Sequence, residues 1–204
     1  MRFDVAQRLA HWGTATLFLV LIATALPLYL PAVAQFVGRR ALVARVHLWA
    51  GVALPAPLLG AVCGPWGAGL RRDLRRFNLW SASEVRWLTT LGRRRPALRD
   101  KFNPGQKLNA LFIGASIVVM LGTGLTMQWY AVVAINLRTG ATFVHDVLAT
   151  ALVIVIVGHV AVALWHREAL RSIFTGKVSA AWAERHGAPW LTETPNDSVP
   201  SNSH

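Results

Sequence analysis

Two histidines lie fourteen residues apart in a long apolar stretch of this chain, FVHDVLATALVIVIVGHVAVALWH at positions 143–166. On an α-helix this spacing advances about 21 Å and turns about 1400°, within about 40° of whole turns, so His145 and His159 share one face. An ionisable side chain inside a membrane span is costly and marks a functional site. Two on one stripe predict two sites stacked across a bilayer, each of which needs partners from elsewhere in the chain.

The composition is that of a membrane protein with basic loops. Of 204 residues, 54% are hydrophobic and 15% are charged, yet the net charge is +12. Soluble basic proteins lack apolar runs of this length, so a nucleic-acid partner is disfavoured. The one cysteine, Cys63, excludes an internal disulfide, a cysteine-ligated iron–sulfur cluster and a CxxCH haem attachment site.

The apolar runs predict four transmembrane helices, at about 9–30, 46–70, 108–134 and 143–166. The first run lacks a small-residue cleavage site, so we expect it to be retained as a span. Pro55 and Pro57 predict a kink in the second span. The polar loop at 71–107 predicts a short surface helix near Ser83–Leu91. We therefore expect one membrane domain at 1–178 and a polar tail at 179–204.

Lysine and arginine are distributed unevenly between the two sides of these spans. The N-terminus, the loop at 71–107 and the tail hold 17 of the 21 cationic residues, and the two opposite connectors hold four. The positive-inside rule therefore places both termini and the long loop in the cytoplasm. We expect the basic loop to lie near the anionic head groups of membrane lipid.

Four histidines pair by depth in this topology. His11 opens the first span on the cytoplasmic side and matches His159, whereas His47 opens the second span on the outer side and matches His145. Other pairings would bridge most of the bilayer. Haem b takes two axial imidazoles, and a centre with both positions filled transfers electrons. The pattern predicts an all-α membrane protein, a four-transmembrane-helix bundle holding two b-type haems.

Other roles for these histidines stay open. Any one of them could be a hydrogen-bond donor between helices. A zinc site is disfavoured, because no single depth gathers three or four ligands. His166 lies at the membrane boundary, where we expect an interface residue or a contact to a haem propionate. His186 and His204 fall in the polar tail and are expected to be solvated.

Several motifs give the chain a family resemblance. They are the RxxHW start (Arg8, His11, Trp12), VHLWAG around His47, KFNPGQKLN at 101–109, the His145–Asp146 pair with its spacing to His159, and the tail SIFTGKVSAAWAERHGAPW. In these motifs the chain resembles the cytochrome b (gamma) subunit of membrane-bound respiratory formate dehydrogenase. The histidine pattern alone would also suit relatives in hydrogenase or thiosulfate reductase complexes.

The resemblance implies a haem subunit of the bacterial inner membrane. Its partners would be an iron–sulfur beta subunit and a catalytic alpha subunit on the periplasmic side, and a higher oligomer of the complex is compatible with this arrangement. Electrons would reach the outer haem (His47, His145), then the inner haem (His11, His159), and then a quinone, either menaquinone or ubiquinone. Formate oxidation itself would belong to the alpha subunit, because this chain carries no catalytic centre for it.

The resemblance also implies a quinone site. It would comprise Asn103, Gly105 and Gln106 from the loop before the third span, together with His159. A structural interpretation of the same turn is equally open: Asn103 as a helix N-cap, Pro104 at the first helical position and Gln106 completing a capping box.

Two further function classes are weaker alternatives. A transporter or proton channel with histidine relays would be expected to carry more carboxylates than Asp146 in its spans, and internal repeats, which are not visible here. A purely structural anchor for a soluble enzyme would not require histidines paired by depth.

Overall fold

The chain is described by a computed structural model over residues 2–90, 101–179 and 181–182. The regular elements in these ranges are α-helices. In chain order they are α1 (Val5–Tyr29), α2 (Pro31–Val37), α3 (Arg40–Ala53), α4 (Ala56–Cys63), α5 (Ala68–Phe77), α6 (Ala82–Thr89), α7 (Pro104–Gln128), α8 (Ile135–Trp165) and α9 (Arg167–Thr175). The predicted tail at 179–204 lies almost wholly outside the described residues.

Four helical stretches are long and apolar enough to span a membrane: Val5–Tyr29, Arg40–Cys63, Pro104–Gln128 and Ile135–Trp165. The predicted four-helix, all-α architecture is confirmed, and the chain is a multi-pass membrane protein. In lipid, a helix satisfies its backbone groups internally, which is why apolar sequence of this length folds as continuous helix.

The span boundaries differ from those predicted from hydrophobicity. The second span starts at Arg40 instead of near 46, because Arg40 donates to the carbonyls of Leu28 at 3.1 Å and Pro27 at 3.5 Å at the end of α1. The two carbonyls accept hydrogen bonds from the Arg40 guanidinium, so the helix can begin at this charged residue. The second span also ends at Cys63, where the chain turns before α5, instead of near 70.

The third and fourth spans both begin closer to the N-terminus than predicted. The third runs over Pro104–Gln128, not 108–134, and the fourth starts at Ile135, not near 143. A short connector at 129–134 is apolar enough to resemble span sequence, although it forms no continuous helix. Apolar composition alone therefore could not separate the connector from the span.

The second span is broken at its proline pair, as predicted. Helix α3 ends at Ala53 and α4 begins at Ala56, with Leu54 and Pro55 between them. The ring of Pro57 packs against α1, where a Cβ on Gly13 would lie 3.1 Å from it. Gly13 thus permits the close approach of α1 and α4 at the kink.

A buried apolar layer crosses the middle of the bundle. It holds one side chain from each span: Phe18, Leu54, Ile117 and Leu152. Helix α1 packs against α3 and α4, and α7 packs against α8, so the layer joins two helical hairpins. On α8 it lies halfway between the two histidines, and it therefore excludes water between their depths.

The surface helix expected near 83–91 is present as α6, and Lys107 anchors it to the base of α7. The Lys107 side chain is 1% exposed; its Nζ lies 2.8 Å from Glu84 Oε1 and donates to the Leu79 carbonyl at 2.9 Å. Burial alone would raise the pKa of Glu84, but hydrogen bonds from Lys107 and Ser81 outweigh it and hold the pKa below its ordinary value. The long loop is thus attached to the bundle through an ion pair whose lysine is buried and whose glutamate is half-buried.

The end of α9 packs against the start of the chain. Gly176 has a left-handed backbone with φ of 76°, and its carbonyl accepts from the backbone N–H of Arg2 at 2.7 Å and of Phe3 at 3.3 Å. A Cβ on Gly176 would lie 2.5 Å from the Phe3 carbonyl oxygen. Both the backbone conformation and the available space therefore require glycine here.

The same contact joins two of the sequence motifs. The Arg8 guanidinium donates to the Phe174 carbonyl at 2.5 Å, and the Trp12 indole N–H to the Ile173 carbonyl at 3.4 Å. These carbonyls belong to the last turn of α9, where unpaired acceptors and the helix dipole favour a cation. The RxxHW start and the SIFTG tail thus form one structural unit beside His11.

We expect Glu84→Gln to destabilise the protein by about 1–3 kcal/mol, the cost of leaving the buried Lys107 ammonium without its charged partner. The pKa of Glu84 is depressed in the folded state, so its contribution is present above the ordinary glutamate pKa and is lost as pH falls through the folded pKa. The measurement is thermal unfolding in detergent from neutral to acidic pH.

The wild-type and Glu84→Gln melting temperatures should differ at neutral pH and converge in acid. Glu168→Gln, which removes the same charge from α9, is the matched control and should leave the melting temperature nearly unchanged. Equal losses in the two variants would show that the Glu84–Lys107 pair does not anchor α6.

Candidate functional site

The structure brings four of the predicted histidines together as two pairs. The first pair is His11 on α1 and His159 on α8, with ring centroids 6.3 Å apart. The second pair is His47 on α3 and His145 on α8, with ring centroids 6.5 Å apart. These are the pairings that the predicted depths indicate, and α8 supplies one histidine to each. Their role as ligands stays a prediction.

Threonines position the second pair. Thr24 Oγ1 lies 2.8 Å from His47 Nδ1, and Thr123 Oγ1 lies 2.9 Å from His145 Nδ1. Each contact leaves the opposite ring nitrogen, Nε2, available. Sequence reasoning missed both threonines, because a span threonine is fully explained by a bond to its own helix backbone and carries no signal of a second partner.

The pair geometry fits a shared metal. An imidazole nitrogen ligates a metal at about 2 Å, and the ring centroid lies about 1 Å behind that nitrogen, so two rings on one metal lie about 6 Å apart. Both observed separations agree with this value. His11 Nδ1 is also buried without a hydrogen-bond partner in the described part of the chain. Two imidazoles and no third ligand are the donor set of a bis-histidine haem iron.

Other metal chemistry finds no support in the described residues. Within 2–90, 101–179 and 181–182, no three His, Cys, Asp or Glu side chains group closely enough to hold a metal ion. Cys63 is exposed and distant in sequence from any pair. His166 Nδ1 lies 3.0 Å from the Val162 carbonyl on an exposed surface, while His186 and His204 fall outside the described residues.

The turn before α7 is a capping box. Asn103 Oδ1 accepts from the Gln106 backbone N–H at 2.9 Å, and Gln106 Oε1 accepts from the Asn103 backbone N–H at 3.1 Å. Pro104 is the first helical residue. The structural interpretation of this turn is therefore correct, and it consumes only the two side-chain oxygens. The amide NH₂ groups of both side chains have no protein partner within the described residues and remain available as donors.

Gly105 lies beside the surface helix in this turn. A Cβ at Gly105 would lie 3.6 Å from the ring of Trp87 on α6 and 3.4 Å from Asn103 Oδ1, which are ordinary van der Waals contacts. Packing in the described residues therefore does not require glycine at this position. Its assignment to a quinone site rests on its position in the turn, since it supplies no side chain.

The register of the α7–α8 hairpin relates this turn to the first pair. The Thr123–His145 contact fixes the two antiparallel helices relative to each other. Fourteen residues forward from His145 is His159, and fourteen residues back from Thr123 is Asn109. Asn103 lies six residues further, about 9 Å along the helix axis. The turn and His159 thus lie at neighbouring depths.

A buried ion pair lies beside the turn. Asp73 Oδ2 accepts from Lys101 Nζ and from Gln7 Nε2, each at 2.6 Å, which ties α5 and the start of α7 to α1. Burial raises the pKa of Asp73 while the Lys101 ammonium opposes the rise, and burial likewise lowers the pKa of Lys101. For both groups the cost of removing the charge from water exceeds the attraction between the Asp73 carboxylate and the Lys101 ammonium, as is common for buried ion pairs.

Comparison with known proteins identifies the family. Residues 2–176 match the family described as prokaryotic cytochrome b561. The chain is 25% identical over 201 residues to the cytochrome b556(fdo) subunit of formate dehydrogenase from Escherichia coli strain K12, covering 95% of this chain and 92% of the relative. It is 23% identical over 205 residues to the formate dehydrogenase cytochrome b556 subunit of Haemophilus influenzae, covering 95% and 82%. The chain therefore belongs to the prokaryotic cytochrome b561 family and is a haem b protein of the membrane.

Proposed function

We propose that this chain binds two haems b and carries electrons across the bacterial inner membrane from an iron–sulfur partner to quinone. His47 and His145 hold one haem, and His11 and His159 hold the other. The proposal is supported by one observation: two histidine pairs lie at two depths of one helical bundle, with ring separations of 6.5 Å and 6.3 Å.

The chain's own residues do three things in this function. The four histidines hold and orient the haems, each of which, when bound, supplies a one-electron centre with both axial positions filled. The apolar layer of Phe18, Leu54, Ile117 and Leu152 keeps water from connecting the two depths. The α8 helix sets the distance between the sites, because it carries a ligand of each.

We propose further that the chain serves a formate dehydrogenase complex. Its relatives are named as cytochrome subunits of that enzyme, and the chain covers most of their length. The positive-inside rule puts the basic loop in the cytoplasm, and the family resemblance implies that the iron–sulfur and catalytic subunits bind on the opposite, periplasmic side. The connectors on that side carry strongly exposed apolar side chains, such as Phe36 at 94% and Val132 at 83%, which suit an interface.

Quinone reduction is proposed to occur at the capping-box turn. The free NH₂ groups of Asn103 and Gln106 can donate hydrogen bonds to a quinone carbonyl, while His159 lies at a neighbouring depth about 9 Å along the axis. Gly105 lies between Asn103 and Gln106 in the turn. The turn stands at the cytoplasmic boundary, where protons are available from water.

Removing either histidine of a pair should remove the same haem. His11→Ala and His159→Ala should each lower the pyridine haemochrome content from about two haems per chain to about one, and His47→Ala and His145→Ala should each remove the other haem. The dithionite-reduced spectrum distinguishes the haem that remains. His166→Ala is the matched control and should keep both. A wild-type protein without a haem b α-band would end the proposal, and a loss shared by His11→Ala and His145→Ala would refute the pairing.

Asn103→Asp separates the two roles of the turn. Aspartate keeps the capping oxygen, so thermal stability should be unchanged, but it removes the NH₂ donor. We expect roughly a two- to tenfold rise in KM for quinone, since a net hydrogen bond contributes about 0.5–1.5 kcal/mol. The measurement is reoxidation of the dithionite-reduced α-band by added quinone. An unchanged KM with normal stability would remove Asn103 from the quinone site.

The partner is tested with the complex itself. The tagged chain, purified from native membranes in mild detergent, should bring down an enzyme that reduces the haem α-band when formate is added. Membranes carrying the untagged chain are the control. Reduction by hydrogen but not by formate would assign the chain to a hydrogenase-type complex instead and leave the haem proposal intact.

A further inference from the structure

Two threonine hydroxyls distinguish the second histidine pair from the first. Thr24 on α1 bonds His47 on α3 at 2.8 Å, and Thr123 on α7 bonds His145 on α8 at 2.9 Å. The two arrangements are alike, although they are built from different helices. Each links a span threonine to the Nδ1 atom of a histidine on the neighbouring helix.

Each hydroxyl also contacts a carbonyl of its own helix. Thr24 Oγ1 lies 2.7 Å from the Val20 carbonyl, and Thr123 Oγ1 lies 2.8 Å from the Val119 carbonyl. A hydroxyl that gives its one proton to such a carbonyl keeps lone pairs that can accept an N–H from the imidazole. In that arrangement the ring carries its proton on Nδ1 and leaves the lone pair of Nε2 for a metal.

The first pair lacks this support. His11 Nδ1 is buried without a partner, and His159 makes no side-chain hydrogen bond to any residue within the described ranges. The two pairs have similar ring separations, 6.3 Å and 6.5 Å, although His159 is exposed and His145 is half-buried. The hydroxyl contacts are thus the clearest chemical difference between the two sites.

We infer that Thr24 and Thr123 are positioning residues that select the Nδ1–H tautomer of His47 and His145 and lower the reduction potential of the haem held there. A ligating imidazole that donates its other N–H becomes a stronger electron donor to the metal, which favours the oxidised iron. The inference rests on the proposed function. It adds that the second site is tuned by two neutral hydroxyls, one for each ligand, while the first site is not tuned in this way.

The test is a potentiometric titration of the α-band in the purified full-length protein with its haems. In Thr24→Val and Thr123→Val, which keep the branched shape and remove the hydroxyl, the component of the second site should shift to a more positive potential. The component that remains in His47→Ala identifies the first site, and it should not move. The double variant should shift further than either single variant.

Two sets of variants serve as controls. Thr126→Val removes a hydroxyl from the same helix that bonds only the Gly122 carbonyl at 2.8 Å, and it should leave both potentials in place. Thr24→Ser and Thr123→Ser keep the hydroxyl and lose the methyl group, and they should retain the wild-type potential. If the valine variants lose the second haem while the serine variants keep it, the holding role of the hydroxyl is supported.

The inference would be overturned if the serine variants shifted the potential or lost the haem while the valine variants did not, because the methyl group would then be the important part of the side chain. So would an equal shift of both components, which would indicate a general structural change. If the wild-type protein binds two haems and the valine variants have the same two potentials as the wild type, the inference is refuted but the proposed function is not. A wild-type protein without haem would refute the proposed function itself.

Discussion

The need to satisfy polar groups where water is absent governs this molecule. Four helices satisfy the backbone within the apolar spans, so the few polar side chains inside them must find one another. Thr24 and Thr123 do so by bonding both their own helix and a histidine of the next one. His11 Nδ1 does not, and it is buried without a partner in the described chain. The polar groups of the spans are therefore concentrated at the two histidine pairs.

The motifs that carry the family resemblance mostly build one end of the bundle. The RxxHW start bonds the last turn of α9 through Arg8 and Trp12. Within the KFNPGQKLN motif, Lys101 pairs with Asp73 and Lys107 pairs with Glu84. Each contact ties a surface segment to a span near the first histidine pair. That end of the bundle is tied together by polar contacts, although it also exposes large apolar side chains such as Trp165 at 86%.

Helical arithmetic and charge counting were sufficient to predict the four spans, the proline break and the spatial pairing of the histidines, because these depend on length and depth. The depth of a residue in the membrane does not give the rotation of its helix about the helix axis. For this reason the Thr24–His47 and Thr123–His145 contacts could not be predicted. The start of the second span was also missed, since Arg40 reads as loop sequence until its carbonyl acceptors on α1 are known. The capping box at Asn103 was one of two compatible interpretations of the turn; the contacts confirm it, and the quinone site stays a prediction.

The two histidine pairs are held in different ways, and this difference bears on how a charge could be moved between them. Side chains from all four spans meet at the second pair: Thr24, His47, Thr123 and His145. Such a junction restricts ring motion and resists rearrangement when the local charge changes. Among the described residues the first pair is formed by α1 and α8, and His11 adjoins Trp12, which bonds the last turn of α9. Because fewer hydrogen bonds hold the first pair, its rings are less restrained against a change of local charge than those of the second pair.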